Sequence, residues 1–196
     1  MGSPAPDTAD VDFQVGDHVC AFYNGGGSAL DDIVVDYLSK GLQAGNKCAY
    51  LSFADTASSV RDRIPPELMS REDILQFYTE NQAESGFSVE AGLRALEAIA
   101  EEALSDGYDR LWLIGDANFV ARDLPPGSMK TWFTYEAEVI ELAPRYPQFI
   151  MCLYDLDQWA GELIMSVLKT HPRVFVNGLV LNNPYYVPLR QFLDSL

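Results

Sequence analysis

The chain is short of positive charge. Thirteen lysines and arginines stand against 29 acidic residues, a net charge of −16 over 196 residues. Such a surface is repelled by phosphate backbones and anionic lipid headgroups. Direct nucleic-acid binding and membrane binding are therefore not expected. Cysteine is scarce too: Cys20, Cys48 and Cys152, an odd number, each inside an apolar run. That excludes a disulfide framework and points to a reducing, cytoplasmic setting. Long hydrophobic runs are missing, all being far short of the ~20 residues a membrane-spanning helix needs. The first twelve residues have neither the basic region nor the apolar stretch of a signal peptide.

What the chain does have is an ordinary globular balance, 48% apolar and 21% charged. Residues 1–12 are small, polar and proline-bearing and read as a flexible tail, leaving 13–196 as a single expected domain. Short apolar runs alternate with helical periodicities. Val19–Tyr23, Lys47–Phe53, Ile74–Tyr78, Arg110–Gly115, Phe149–Tyr154 and Arg173–Leu181 read as strands, the last with a possible bend at Gly178. Ala29–Ala44, Thr56–Arg63, Val89–Ser105 (capped by Ser88), a segment from Ser128 to Leu142, Leu156–Thr170 and Leu189–Leu196 read as helices. This alternation predicts an α/β fold, a mostly parallel central sheet with helices on both faces.

In such sheets ligands sit beyond the carboxyl ends of the strands. The loop after the first strand carries Gly25, Gly26, Gly27 and Ser28 and opens a helix, the place where a phosphate-binding loop belongs. The gripping lysine is absent, since no Lys occurs before Lys40, and Asp31 and Asp32 occupy the first helical turn instead. Carboxylates there suit the helix dipole but compete with a phosphate for the same N–H groups. No arginine or lysine stands near this loop in the chain, so it reads as a degenerate phosphate loop. Nucleotide hydrolysis is not expected, and neither is a cofactor.

Aromatic residues give the strongest binding signal. Tyr23, Trp132, Tyr135, Tyr154, Tyr185 and Tyr186 lie at or near loops, beside the polar strand-end residues Asp116, Asn118 and Asp155. Together these are the expected lining of a largely apolar pocket. Asp155 has capping of the following helix as its alternative role. The apolar loop Asn182–Pro188 reads as a lid over the strand ends, or an interface. The two histidines, His18 and His171, are weaker signals. A metal site would need Cys48 or Cys152 to converge on the His18–Cys20 pair, and strand alternation allows only partial convergence, so no metal is expected. His171 reads as a residue satisfying the last carbonyls of a helix.

The run Gly27–Phe53 resembles the first βαβ unit of the RecA/KaiC-like ATPases. Four further segments resemble the MEDS (methanogen/methylotroph, DcmR sensory) domain: Asp17–Tyr23; Gly107–Asp116; Tyr135-Glu136 with Cys152–Asp155; and His171-Pro172 with Asn183–Tyr186. That resemblance implies a RecA/KaiC-like three-layer sandwich without a working phosphate loop. It also implies a non-catalytic sensory role, with a small hydrocarbon-derived organic ligand. The implied partner is a regulatory protein: a histidine kinase, an anti-sigma factor or a DNA-binding module. A homodimer is a further possibility from the sequence. Two other readings stay open, a protein-interaction regulator with a vestigial pocket and a residual nucleotide-binding enzyme.

Overall fold

The computed structural model describes residues 13–25, 27–52, 54–69, 71, 73–79, 87–118, 129–159, 161–176 and 178–194. Its strands are β1 (His18–Tyr23), β2 (Lys47–Ser52), β3 (Leu75–Thr79), β4 (Leu111–Asp116), β5 (Gln148–Asp155), β6 (Arg173–Val176) and β7 (Leu179–Asn182). Its helices are α1 (Ser28–Gln43), α2 (Ala54–Arg63), α3 (Val89–Ser105), α4 (Met129–Leu142), α5 (Gly161–Thr170) and α6 (Leu189–Leu193). Among the described residues the strands form one sheet in the order β3-β2-β4-β5-β1-β6-β7.

Near-continuous apolar sequences such as Leu111–Ile114 and Phe149–Leu153 make the central strands, because both of their faces are covered. On one face α1 buries Leu30, Val34, Tyr37, Leu38 and Leu42 against Ala21, Trp112, Phe149 and Met151. On the other, α3, α4 and α5 cover Leu113 and Ile150 on one side and Cys20 and Tyr154 on the other. Each fully buried large side chain stabilises by about 1.5–3 kcal/mol, so the two layers supply the bulk of the folding energy. Ser88 caps α3 by accepting from Ala91 N at 3.2 Å, as its sequence position predicts.

Four expectations need correction. The sheet is mixed rather than mostly parallel, because β7 runs antiparallel to β6. The expected single strand Arg173–Leu181 is two, and Gly178 (φ +84°), a conformation open to glycine at little cost, belongs to the reversal between them. The helix expected from Leu156 begins only at Gly161. There the Asp155 carboxylate accepts from Asp157 N at 3.0 Å and Gln158 Nε2 at 2.9 Å, holding a turn in place of the helix's first residues. Finally, a cation does reach the glycine loop. Arg63 at the end of α2 pairs with Asp32, and its Nη1 lies 3.6 Å from Asp31, in the first turn of α1. The expected tail 1–12, Gly26 and Ser128 lie outside the described residues.

Candidate functional site

The carboxyl ends of β1, β4 and β5 are tied together by Asn118. Its amide donates to the Tyr23 hydroxyl at 2.5 Å and to the Asp116 carboxylate. Its Oδ1 accepts from Asp155 N at 2.9 Å and from Trp159 Nε1 at 3.2 Å. Tyr23, Asp116, Asn118 and Asp155 are all buried. Burial pushes the Tyr23 phenol up, and the nearby Asp116 and Asp155 charges add to this. The four sequence-predicted residues thus form one neutral-hydroxyl, amide and carboxylate network that fixes the strand ends.

Beside this network lies an apolar pocket between α3 and α4. Leu51 and Ser52 of β2 and Leu113, Gly115 and Asp116 of β4 contribute from the sheet, with Ile150 and Cys152 of β5. Gly92, Ala95 and Leu96 of α3 and Trp132, Tyr135 and Val139 of α4 form the walls, and Phe87 packs in at ring distances of 5.4 Å from Trp132 and 5.2 Å from Tyr135. The space open to the centres of water-sized spheres is about 70 Å³. One water needs roughly 10–15 Å³ by this measure, so the pocket holds a molecule of a few heavy atoms. Gly92 lets the Tyr135 ring pack close against α3, because a Cβ there would stand 2.8 Å from that ring.

Deeper on the same sheet face is a cluster of ionisable groups. Glu136 points down from the buried stripe of α4, and its Oε2 lies 3.2 Å from His18 Nε2 and 3.3 Å from His171 Nε2. Cys152 Sγ lies 3.4 Å from His18 Nε2. His18, Glu136 and His171 are essentially inaccessible to water, at 1%, 0% and 0% exposure. Burial, reinforced by His171, pulls the His18 imidazole well below its ordinary range. Burial alone would raise the Glu136 carboxyl, but the facing His171 and His18 outweigh it and keep the group ionised. Burial pushes the thiols of Cys20, Cys48 and Cys152 up. None of the three is a ready nucleophile in this state. The Tyr154 ring stands edge-on to His171 at 5.8 Å, so Tyr154 belongs to this cluster and not to the pocket lining.

A family model described as the methanogen/methylotroph, DcmR sensory domain (MEDS) matches residues 17–172. The chain belongs to the MEDS family. No curated protein matches it.

Within this MEDS domain the residues singled out from sequence divide into five places. Asp116, Trp132 and Tyr135 line the pocket. Tyr23, Asn118 and Asp155 support it through the network. Tyr154 lies in the buried cluster. Tyr185 and Tyr186 lie elsewhere: Asn183 N bonds to Pro172 O at 2.9 Å and Asn182 pairs with Arg173, so this loop sits at the amino end of β6. The lid expected over the strand ends is therefore at the opposite end of the sheet, because β7 runs back antiparallel. Gly25, Gly27 and Ser28 do sit at the carboxyl end of β1, but they lead into α1 on the other face and line no part of the pocket.

The convergence of cysteine and histidine also exceeds the sequence reading. Cys152 reaches His18, while Cys48 packs on the opposite face below Gly41. His171 does satisfy a helix-end carbonyl, its Nδ1 lying 2.8 Å from Val167 O, yet its other nitrogen faces Glu136. Glu136 enters the sequence reading only within the MEDS-like segment Tyr135-Glu136, not as a candidate site residue. The signal that finds it is an acid on the buried stripe Trp132, Phe133, Glu136, Ala137 of an amphipathic helix.

Proposed function

We propose that this chain is a non-catalytic sensory domain. It binds a small, largely apolar, hydrocarbon-derived molecule in the α3–α4 pocket and signals to a transcription, kinase or anti-sigma partner. Membership of a sensory family supports the role. The observation that carries the ligand class is the pocket itself, with Leu51, Leu96, Leu113, Val139 and Ile150 around it and polar groups from few residues, chiefly Ser52, Asp116 and Cys152. Such a mix favours apolar ligands held by one or two polar contacts. Binding biases the regulator only if the ligand prefers one of two states, and the Tyr135 ring, packed against Phe87 and Trp132, is a wall that an occupant of the pocket would press on.

The glycine loop fits a degenerate phosphate loop of the RecA/KaiC kind. The Gly25 N–H already donates to the Asp157 carboxylate at 3.0 Å, and Asp31 and Asp32 hold Arg63. A nucleotide would have to displace carboxylates from both. A thermal-shift screen of small organics against ATP–Mg²⁺ tests the reading. A fitting organic at a hundredfold excess over its Kd adds about 2.7 kcal/mol, a rise of roughly 5–10 °C for a domain of this size. A large shift with ATP–Mg²⁺ and none with organics overturns it.

A second reading, a regulator acting by protein contact, has one observation in its favour. The β6–β7 hairpin leaves Val176, Leu179 and Leu181 more than two-fifths exposed, more apolar surface than an edge strand usually shows to water. Light scattering of the chain alone tests the homodimer version, which predicts a mass of twice 21.8 kDa.

A further inference from the structure

We propose that His18, Glu136, Cys152 and His171 form a buried site for one divalent transition-metal ion of the zinc type, enclosed by β1, β5, α4 and the end of α5. One ligand atom from each of the four residues lies within 4.8 Å of all the others. A tetrahedral ion held at about 2.0–2.3 Å from N, O and S donors sets neighbouring donors roughly 3.3–3.6 Å apart. The separations from Glu136 to His18, from Glu136 to His171 and from Cys152 to His18 are 3.2, 3.3 and 3.4 Å.

The contacts are close in distance but poor as hydrogen bonds. Neither Glu136 oxygen nor His171 Nε2 makes a hydrogen bond of ordinary geometry, although all are buried. Buried polar atoms left this way call for an explanation, and a bound ion is one. The tautomer of His171 agrees. A carbonyl oxygen only accepts, so the Nδ1 atom 2.8 Å from Val167 O carries the hydrogen. In the neutral ring the lone pair is then on Nε2, aimed into the cluster. A backbone carbonyl holding the second ring nitrogen is the usual support of a metal-bound histidine.

The donor set decides the class of ion. Two imidazoles, one thiol and one carboxylate suit zinc and its neighbours, not calcium or magnesium, which take oxygen. On binding, Cys152 gives up its proton to solvent. The thiolate and the Glu136 carboxylate then balance the two charges of the ion, so the buried site becomes neutral. Four protein ligands fill the coordination sphere, which makes the site closed rather than catalytic. Cys152 also lines the apolar pocket, which places one ligand at the cavity wall and gives the ion an approach. The inference goes beyond the sensory reading and does not rest on it.

The test is cobalt titration of the full chain after chelator treatment. The expected result is one Co²⁺ per chain, with the intense visible bands of tetrahedral cobalt, a thiolate charge-transfer band, and displacement by Zn²⁺. Cys152→Ser should remove the charge-transfer band. Cys152→Ser and Glu136→Gln should each weaken binding by at least about 10–100-fold, the loss seen even for outer-shell partners. Cys48→Ser, on the other sheet face, should leave the spectrum unchanged. A weak octahedral spectrum, or a charge-transfer band that persists in Cys152→Ser, overturns the proposal. Native mass spectrometry of the zinc-treated wild-type chain needs no variant: one zinc per chain supports the site, and a metal-free chain overturns it.

Discussion

The two faces of the sheet are built for different ends. The α1 face is filled with rings: Phe13, Tyr37, Trp112 and Phe149 pack with centroids 4.9–5.8 Å apart. The α3–α4 face holds the pocket and, below it, a buried carboxylate between two histidines. Each face has a helical glycine set against an aromatic ring. A Cβ on Gly41 would stand 2.7 Å from Cys48 Sγ and 2.8 Å from the Trp112 ring, and one on Gly92 would stand 2.8 Å from the Tyr135 ring. Gly41 lets α1 sit close to the sheet, with no room behind its neighbours. Gly92 keeps a ring back from a space. The same residue, at the same kind of contact, serves packing on one face and a cavity on the other.

The largest expected effect is on the cluster. In the zinc-loaded chain Glu136→Ala removes one of the two charges that balance the proposed ion, and leaving a buried charge uncompensated costs about 3–5 kcal/mol. Urea denaturation measures it, and a loss under about 1 kcal/mol would put that cluster on a par with a surface pair and erase the contrast between the faces. Asn118→Ala comes next. It strands the Tyr23 hydroxyl, the Asp155 N–H and the Trp159 indole N–H, for a loss of about 2–3 kcal/mol by the same measurement.

The paired glycines sharpen the comparison most. Gly41→Ala should destabilise by about 1–3 kcal/mol through overpacking, with no change in response to organics. Gly92→Ala should stay within about 1 kcal/mol of wild type, because better helix propensity offsets the push on Tyr135. It should nevertheless lose the thermal shift with organics, as Tyr135 moves into the cavity.

The smallest effect is at the rim, where buried Lys47 pairs with Asp106 and lies 3.1 Å from the half-exposed Glu102. Hydrogen bonds from Gln76 and Lys47 hold the Glu102 carboxyl below its ordinary value of 4.5. A depressed folded pKa gives stability that is complete above the unfolded value and is lost as pH falls through the folded one. Below about pH 5 the melting temperature of wild type should therefore fall slightly faster than that of Glu102→Gln, the difference being small because water screens the pair.

Much of the fold was legible because the central strands are buried on both sides, which leaves unbroken apolar runs such as those of β4 and β5. The hairpin was not: a glycine bend inside Arg173–Leu181 reads the same whether the chain kinks or reverses, and only pairing decides. The placement of Tyr185 and Tyr186 failed with it. Of the pocket lining only Asp116, Trp132 and Tyr135 were named from the sequence, and the other twelve are ordinary apolar or small positions whose facing depends on how helices and strands pack. The buried cluster was not, because His18, Glu136, Cys152 and His171 come from four separate elements whose convergence depends on strand order. Arg63 was hidden for the same reason, lying 31 residues beyond Asp32 in the chain yet bonded to it.

The most direct test of the sensory reading is a methyl NMR titration of the chain with small organics, with ATP–Mg²⁺ as comparison. Binding in the pocket predicts shifts of the Leu51, Leu96, Leu113, Val139 and Ile150 methyls, with Val176, Leu179 and Leu181 of the hairpin unmoved. Silent pocket methyls across the organics, with ATP–Mg²⁺ shifting the Leu30 methyls beside the glycine loop, would contradict it.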